Sequence, residues 1–293
     1  MKTDVAAIVT ERILESMKST GSIIWQRPWR ILGYRNAVSK KAYRGINVLM
    51  LSLLGADEWY LTFNQAKAHG GNVKKGSKGI PIVFYKVSNE EKNDAGDVIR
   101  KKFFMLRYYT VFGLSQTENV KINLPVDEKL EFVPVERAEA LIKASGVTVT
   151  HGGNRAFYTP ALHTVTMPPK ENFKSVEHYY ATLFHELTHW TSKEVGITLD
   201  GHFGDEQYSK EELTAEIGAN FLLSYCGIDA SATYNNSVAY LQSWISKLSD
   251  DPKLLIQASN AAQKRFDWLL AKVNPGEIET DEVENIETVA IAA

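Results

Sequence analysis

The stretch His185-Glu186-Leu187-Thr188-His189 decides which kind of fold the second half of this chain adopts. Two histidines four residues apart lie on one face of a helix, one turn from each other, so their imidazoles can converge on one Zn²⁺. Glu186 then projects toward the open coordination position, where a carboxylate can act as a general base. We therefore predict a catalytic metal site with His185 and His189 as ligands and Glu186 as the base.

The residues before the pentad support a helix. Ser175 can cap its first turn, because a serine side chain accepts a hydrogen bond from a backbone N–H that has no partner within the helix. An apolar stripe at helical spacing follows this cap. Its members are Val176, Tyr179, Tyr180, Leu183, Phe184 and Leu187.

A catalytic zinc keeps three protein ligands, and the segment from Tyr208 to Glu216 offers the third. Glu212 and Glu216 stand one turn apart on one face of a second predicted helix, which Gly227 ends. We assign Glu212 to the metal and Glu216 to a position behind it, where it orients a ligand histidine. The swapped assignment, with Glu216 as the alternate ligand, remains open. Glu211 points off this face and is predicted to be solvated.

Two further features are expected near the metal. Tyr208, just before the second helix, and His202, in the loop between the helices, are candidates for stabilising an oxyanion. Residues 154–158 and 162–167 alternate like two short strands joined at Pro160. A strand of this kind beside the metal can pair with an extended peptide.

Charge is divided unevenly between the two halves of the chain. The whole sequence carries a formal net charge of −2 and is 44% hydrophobic, as in an ordinary globular protein. Residues 1–125 hold 20 Lys or Arg against 10 Asp or Glu, a net of +10, whereas the remaining 168 residues hold 13 against 25, a net of −12. Such asymmetry favours a nucleic-acid-binding half joined to a module of another kind.

Aromatic residues are interleaved with the cations of the basic half. Cations neutralise phosphates and aromatic faces stack on unpaired bases, a combination suited to single-stranded DNA. Neither a helix-turn-helix signature nor zinc-finger spacing is visible, so the pattern contains no device for reading duplex sequence. Trp59 and Phe63 are expected in the core instead. The candidate DNA-contacting residues are Trp25, Arg27, Trp29, Arg30, Lys40, Lys41, Tyr43, Arg44, Lys74, Lys75 and Lys78.

Apolar periodicity and turn residues divide the chain into two domains and a tail. Residues 1–125 are expected to form a mixed α/β domain, residues 126–275 a second domain with the histidine pentad, and residues 276–293 an acidic disordered tail. Residues 114–132 are predicted to be the linker, and each domain is expected to have its own core. The predicted fold class is therefore α+β.

Cysteine content and hydropathy predict where the protein resides. A single cysteine, Cys226, excludes an internal disulfide and favours a reducing compartment. No apolar stretch approaches the roughly 20 residues that a membrane-spanning helix needs. Residues 1–10 are also too polar for a signal peptide. We therefore expect a cytoplasmic protein with no membrane partner.

Several stretches of the sequence resemble the ArdC-type antirestriction proteins and the plasmid primase TraC. In the first half these are Tyr43-Arg44-Gly45-Ile46-Asn47, residues 59–66 (WYLTFNQA), residues 71–79 (GNVKKGSKG) and residues 109–117 (YTVFGLSQT). In the second half they are residues 185–190 (HELTHW) and 211–222. The resemblance covers nearly all of the chain up to the acidic tail. It departs at residues 191–198, where family members commonly carry a basic, Arg-rich stretch.

The resemblance implies a single-strand-binding N-terminal domain followed by a zincin-like metallopeptidase domain, with Zn²⁺ or another divalent metal such as Mn²⁺. It also implies a protein of a plasmid, phage or integrated mobile element that binds single-stranded DNA and shields incoming DNA from restriction, as in plasmid conjugation. A host restriction or defence protein is then the candidate peptide substrate. Two alternatives remain open: a pure DNA-binding shield whose metal site is only structural, and a mobile-element metalloprotease that its DNA-binding domain localises.

Overall fold

The computed structural model describes residues 5–21, 34–55, 57–88, 91–92, 98–99, 103–125, 134–199, 206–229 and 238–274. The helices of these segments are α1 (Val5–Thr20), α2 (Ile46–Leu54), α3 (Phe63–Ala68), α4 (Pro134–Ser145), α5 (Val176–Glu194), α6 (Glu206–Cys226), α7 (Val238–Asp250) and α8 (Leu254–Val273). The strands are β1 (Arg35–Asn36), β2 (Trp59–Thr62), β3 (Asn72–Val73), β4 (Ile80–Ser88), β5 (Glu91–Lys92), β6 (Val98–Ile99), β7 (Phe103–Gly113), β8 (Thr117–Glu118), β9 (Thr148–His151), β10 (Phe157–Thr159) and β11 (Thr164–Met167). This mixture of segregated helices and small sheets confirms the predicted α+β class.

A four-stranded sheet organises the first half, in the order β1-β2-β7-β4. β7 runs antiparallel to both β2 and β4, and β1 is parallel to β2. The side-chain amide of Asn47, in α2, pairs with both the N–H and the C=O of Val83, each at 2.7 Å. It thereby satisfies backbone groups of β4, a strand with one sheet neighbour among the described segments.

Helix α1 is amphipathic, with apolar residues at helical spacing on its buried face. Val9, Ile13 and Met17 recur every four residues, and each is fully buried. The helix ends at Gly21, which adopts a φ of +64° and donates its N–H to the carbonyl of Met17 at 2.9 Å.

The second half packs helices against one face of a small sheet. The sheet order is β10-β11-β9, with β10 antiparallel to β11 and β11 parallel to β9. Helix α5 contacts β10 and β11 on one side and α6 on the other, while α6 also packs against α8. Ser175 caps α5 by accepting a hydrogen bond from the N–H of His178, as its side chain predicted. Strand β9 was not foreseen.

Buried side chains of both halves merge into one large hydrophobic cluster, so the two halves do not have wholly separate cores, although a smaller cluster lies within the first half. Helix α1 packs on α7, and α2 packs on α8. The hydroxyl of Thr10 donates to the carbonyl of Pro252 at 2.6 Å across this junction. The predicted linker is also partly wrong, because Thr117–Glu118 within it form β8 and pair with β3 of the basic half.

Some sequence predictions fall outside the described residues. These are the roles of Trp25, Arg27, Trp29, Arg30 and His202, and the acidic tail 276–293. Among the described residues, no helix is both long and apolar enough to cross a membrane.

Candidate metal centre

Three side chains from α5 and α6 bring their ligand atoms together. The Nε2 atoms of His185 and His189 lie 3.2 Å apart. Glu212 approaches from α6, with Oε2 at 3.6 Å from His185 Nε2 and Oε1 at 3.6 Å from His189 Nε2. Within the described residues this is the one group of three His, Cys, Asp or Glu side chains whose ligand atoms all lie within 4.8 Å of one another.

These separations fit a divalent metal ion. A tetrahedral zinc with ligand bonds of about 2.0–2.1 Å separates neighbouring ligand atoms by about 3.4 Å. The three distances bracket this value. Two imidazoles and one carboxylate are also a donor set that zinc and manganese accept. The geometry therefore supports the assignment of Glu212 as third ligand.

Close packing of α5 and α6 places Glu212 opposite the histidines. Gly218, in α6, has its backbone against Thr188, which lies between the two histidines in the pentad. A Cβ at position 218 would come within 2.5 Å of Thr188 Cγ2, so only glycine permits this helix separation. Thr188 in turn donates its hydroxyl to the carbonyl of Phe184 at 2.7 Å, which keeps its side chain folded against α5.

Glu211 does not point to solvent, and that sequence prediction is wrong. Its Oε1 lies 2.8 Å from Nδ1 of His189, and its side chain is only 16% exposed. The reason is that α6 is flanked by α8 as well as α5, so the helix face beside Glu212 meets another helix rather than water. The role predicted for Glu216, holding a ligand histidine from behind, is thus filled for His189 by Glu211. Glu216 is half-buried and contributes its charge to the surroundings of His185.

The electrostatics of the site are those of a cation site. Burial acts to lower the pKa of His185, but the carboxylates of Glu212, Glu186 and Glu216 outweigh it and raise that pKa. Burial likewise acts to raise the pKa of Glu211, but hydrogen bonds from His189 and Arg265 outweigh it and hold that pKa below its usual range. Negative charge therefore accumulates around the two imidazoles, which favours a bound cation.

A cavity of about 760 Å³ opens beside the three candidate ligands. Glu186 lines it, and so does Tyr208, whose hydroxyl donates to the Glu212 carboxylate. Burial, and then the charge of Glu212, raise the pKa of Tyr208, so this hydroxyl keeps its proton. Phe157 and Tyr158 of β10 form another part of the wall. Glu186, Tyr208 and the predicted strand thus line the same space.

A hydrogen-bonded chain that the sequence did not reveal anchors β10. The hydroxyl of Tyr158 lies 3.0 Å from Nδ1 of His163, and His163 Nε2 lies 2.9 Å from Glu194 at the end of α5. The His163 ring stacks on Trp190 at 4.6 Å, and the indole N–H of Trp190 donates to the His163 carbonyl. Nothing local in the sequence relates Glu194 to His163, since 31 residues separate them.

Three of the candidate DNA-contacting side chains make contacts within the protein. Tyr43 is half-buried and packs edge-on against Tyr60, with ring centroids 6.4 Å apart. Arg44 forms an ion pair with Asp267 of α8. Lys40 donates to two backbone carbonyls and sits over the Trp59 ring at 5.4 Å. These contacts join parts of the fold. Tyr43 and Lys40 are half-buried, whereas the Arg44 side chain is 41% exposed, so contact of these residues with DNA stays a prediction.

Other polar and aromatic side chains of the basic half do face solvent. Lys41, Lys74, Lys75 and Lys78 are exposed. Three aromatic rings are also more than two-fifths exposed: Phe63 at 44%, Tyr108 at 41% and Tyr109 at 43%. The prediction of a core position is thus confirmed for Trp59 and wrong for Phe63. The two tyrosines were not predicted from the sequence: residues 107–110 of β7 are all exposed, so both faces of the strand meet solvent there.

Comparisons with known families cover most of both halves. Residues 3–112 match the family described as the N-terminal domain of anti-restriction factor ArdC. Residues 136–261 match the family of zincin-like metallopeptidases, so the second match contains all three candidate ligands.

Individual relatives extend over nearly the whole chain. Two DNA primase TraC proteins of Escherichia coli are each 37% identical to this chain over 288 residues. The match covers 90% of this chain but only 20% and 27% of the two primases, so the chain spans a small part of their length. The uncharacterized protein y4eC of Sinorhizobium fredii is 31% identical over 92% of each chain. Crystal structures of the antirestriction ArdC protein from the R388 plasmid superpose with TM-scores of 0.72 (metal-free; 34% identity; 92% of this chain, 98% of that one) and 0.73 (Mn(II)-bound; 32% identity; 94% and 100%).

Proposed function

This chain belongs to the ArdC family of antirestriction proteins, and we propose that it protects the incoming DNA of a mobile element by binding single strands and by metal-dependent cleavage of a peptide bond in a host protein. The peptidase part of this proposal rests on one observation. Glu186 and Tyr208 line the same cavity, beside the cluster of His185, His189 and Glu212. A restriction or defence protein is the proposed substrate, and the cytoplasm, where incoming DNA meets restriction enzymes, is the proposed site of action.

Each residue of the cavity has a defined task in peptide hydrolysis. His185, His189 and Glu212 would hold a divalent ion, Zn²⁺ or Mn²⁺, which supplies Lewis acidity when bound. Glu186 accepts a proton from the attacking water and passes it to the leaving amine. Tyr208 keeps its hydroxyl proton and can turn it toward the oxyanion that forms at the scissile carbonyl.

Strand β10, which forms part of the cavity wall, orients the peptide. β10 pairs with β11 on one side, and it has no other strand partner among the described segments. An extended peptide can therefore add to β10 through backbone hydrogen bonds, which hold its scissile bond over the cavity without requiring a particular side chain. The hydrogen-bonded chain of Tyr158, His163 and Glu194 holds β10 in place against α5.

The basic half supplies the proposed surface for single-stranded DNA. Its net charge of +10 draws phosphates, and its exposed lysines at 41, 74, 75 and 78 are placed to neutralise them. The exposed rings of Phe63, Tyr108 and Tyr109 offer faces on which unpaired bases can stack. Support for this function comes from charge and exposure together with the family of the chain.

A Glu186→Gln variant tests whether chemistry contributes. The substitution keeps the size of the side chain but removes the base, so the variant is expected to bind metal and single-stranded DNA as the wild type does. Its protection of transferred DNA, measured as plasmid establishment in a restricting host relative to a non-restricting one, should fall to the level of a His185→Ala control. Protection that survives in Glu186→Gln would favour the alternative of a pure DNA-binding shield. A full-chain variant with alanine at Lys74, Lys75 and Lys78 that loses single-strand binding yet still protects would favour a protease that needs DNA only for localisation.

A further inference from the structure

Arg265 is a fully buried cation behind the candidate metal centre. It lies in α8 with only 1% of its surface exposed. Its two terminal nitrogens each donate to a different oxygen of Glu211, both at 2.7 Å. Nη1 also donates to the carbonyl of Thr188, the residue before His189, at 3.2 Å. One guanidinium thus ties α8 to α6 and to the turn of α5 that bears a candidate ligand.

The burial of this ion pair needs a reason beyond stability. Removing both charges from water is unfavourable, and apolar residues of similar volume often stabilise a core as well as such a pair does. Arg265 also keeps its Nε buried without a hydrogen-bond partner, an additional cost. The planar fork does provide a defined geometry, because a bidentate pair fixes both oxygens of a carboxylate in place.

Glu211 transmits that geometry to His189. A carboxylate can only accept a hydrogen bond, so Nδ1 of His189, 2.8 Å from Glu211 Oε1, must carry the proton. The lone pair of the neutral ring is then on Nε2, the atom that faces His185 and Glu212. We infer that Arg265 is a positioning residue of the metal centre: it holds Glu211 so that His189 presents Nε2 to the ion. This inference rests on the proposed function in requiring that the centre binds metal.

Arg265 does not act on substrate directly. Although it borders the cavity, its side chain is almost wholly enclosed and its terminal nitrogens are occupied by Glu211 and Thr188. Its effect is therefore expected in metal affinity, with any change in peptide cleavage following from that.

The test is a double-variant cycle on the full chain, with Zn²⁺ and Mn²⁺ dissociation constants measured by chelator competition. Arg265→Met and Glu211→Met should each weaken metal binding about 10- to 100-fold, the usual effect of losing a residue that orients a ligand. The double variant should bind no more weakly than Glu211→Met alone, because Arg265 acts through Glu211. Lys264→Met, an exposed neighbour on the same helix, should bind as the wild type does.

Melting of the metal-free variants separates positioning from stability. Arg265→Met removes the ion-pair partner of the buried Glu211 carboxylate and should melt lower, whereas the double variant should regain most of the loss. If the double variant regains metal affinity together with its melting temperature, the inference is overturned. Wild-type metal affinity in Arg265→Met would also overturn it. If Arg265→Met does not fold, Arg265→Lys keeps the charge without the fork: weakened metal binding supports the inference, and unchanged binding overturns it. A wild type that binds no metal would instead overturn the proposed function itself.

Discussion

Replacing Tyr43 by alanine separates a packing role from a DNA-binding one. The ring is half-buried, and it meets Tyr60 edge-on at 79° with centroids 6.4 Å apart, while its hydroxyl accepts a hydrogen bond from Asn36 at 3.3 Å. Truncating a fully buried large aromatic costs about 3–5 kcal/mol. A half-buried ring that also loses an aromatic pair worth about 0.5–1.5 kcal/mol should cost about 2–3 kcal/mol. We therefore expect Tyr43→Ala to lose that much free energy of unfolding.

The assay is denaturant unfolding combined with a fluorescence titration of single-stranded DNA. Tyr109→Ala is the matched control, because Tyr109 is 43% exposed and stacks on Phe84 at 4.3 Å. It should lose only about 1 kcal/mol of stability. If its exposed face stacks on a base, it should weaken binding by about 1–3 kcal/mol, while folded Tyr43→Ala binds normally. A Tyr43→Ala protein of wild-type stability and weakened DNA binding would refute the reasoning.

Three further changes probe the exposed lysines, the helix packing and the buried thiol. Replacing Lys74, Lys75 and Lys78 together by alanine should make the plot of log affinity for single-stranded DNA against log salt concentration less steep. The slope should change by about 0.7 for each phosphate that the variant no longer neutralises. An unchanged slope would exclude these lysines from the interface. Gly218→Ala should lower the free energy of unfolding by about 1–3 kcal/mol, because the new Cβ would press on Thr188 of α5. A variant of wild-type stability would contradict this packing. Cys226 is 2% exposed, and burial raises the pKa of its thiol to about 12. Labelling by a thiol reagent at pH 8 should therefore be on the order of a thousandfold slower in the native protein than in denaturant. Comparable rates would show that the thiol is accessible.

Local sequence signals predicted the two helices of the metal centre. His185 and His189 share a helix face whatever surrounds them, because four residues make about one turn. Ser175 and Gly227 mark helix ends through their own backbone preferences. The two candidate ligand histidines were therefore visible from spacing alone, and the same spacing on α6 left Glu212 and Glu216 as candidates for the third ligand.

Contacts across long stretches of sequence were not predictable in this way. The surroundings of Glu211 depend on Arg265, 54 residues later, so an acidic residue beside the ligand face looked solvated. The Tyr43-Arg44-Gly45 stretch reads as a basic, aromatic DNA site, yet its partners include Gln263 and Asp267 of α8. In both cases the partner lies in helix α8, far along the chain.

Metal content measured on purified protein tests the central claim most directly. Wild-type chain, dialysed against Zn²⁺ or Mn²⁺ and analysed by elemental mass spectrometry, should hold about one divalent ion per chain. A His185→Ala/His189→Ala variant of unchanged secondary structure should hold none above background. Equal metal content in the two proteins would contradict the assignment of His185, His189 and Glu212 as the metal centre.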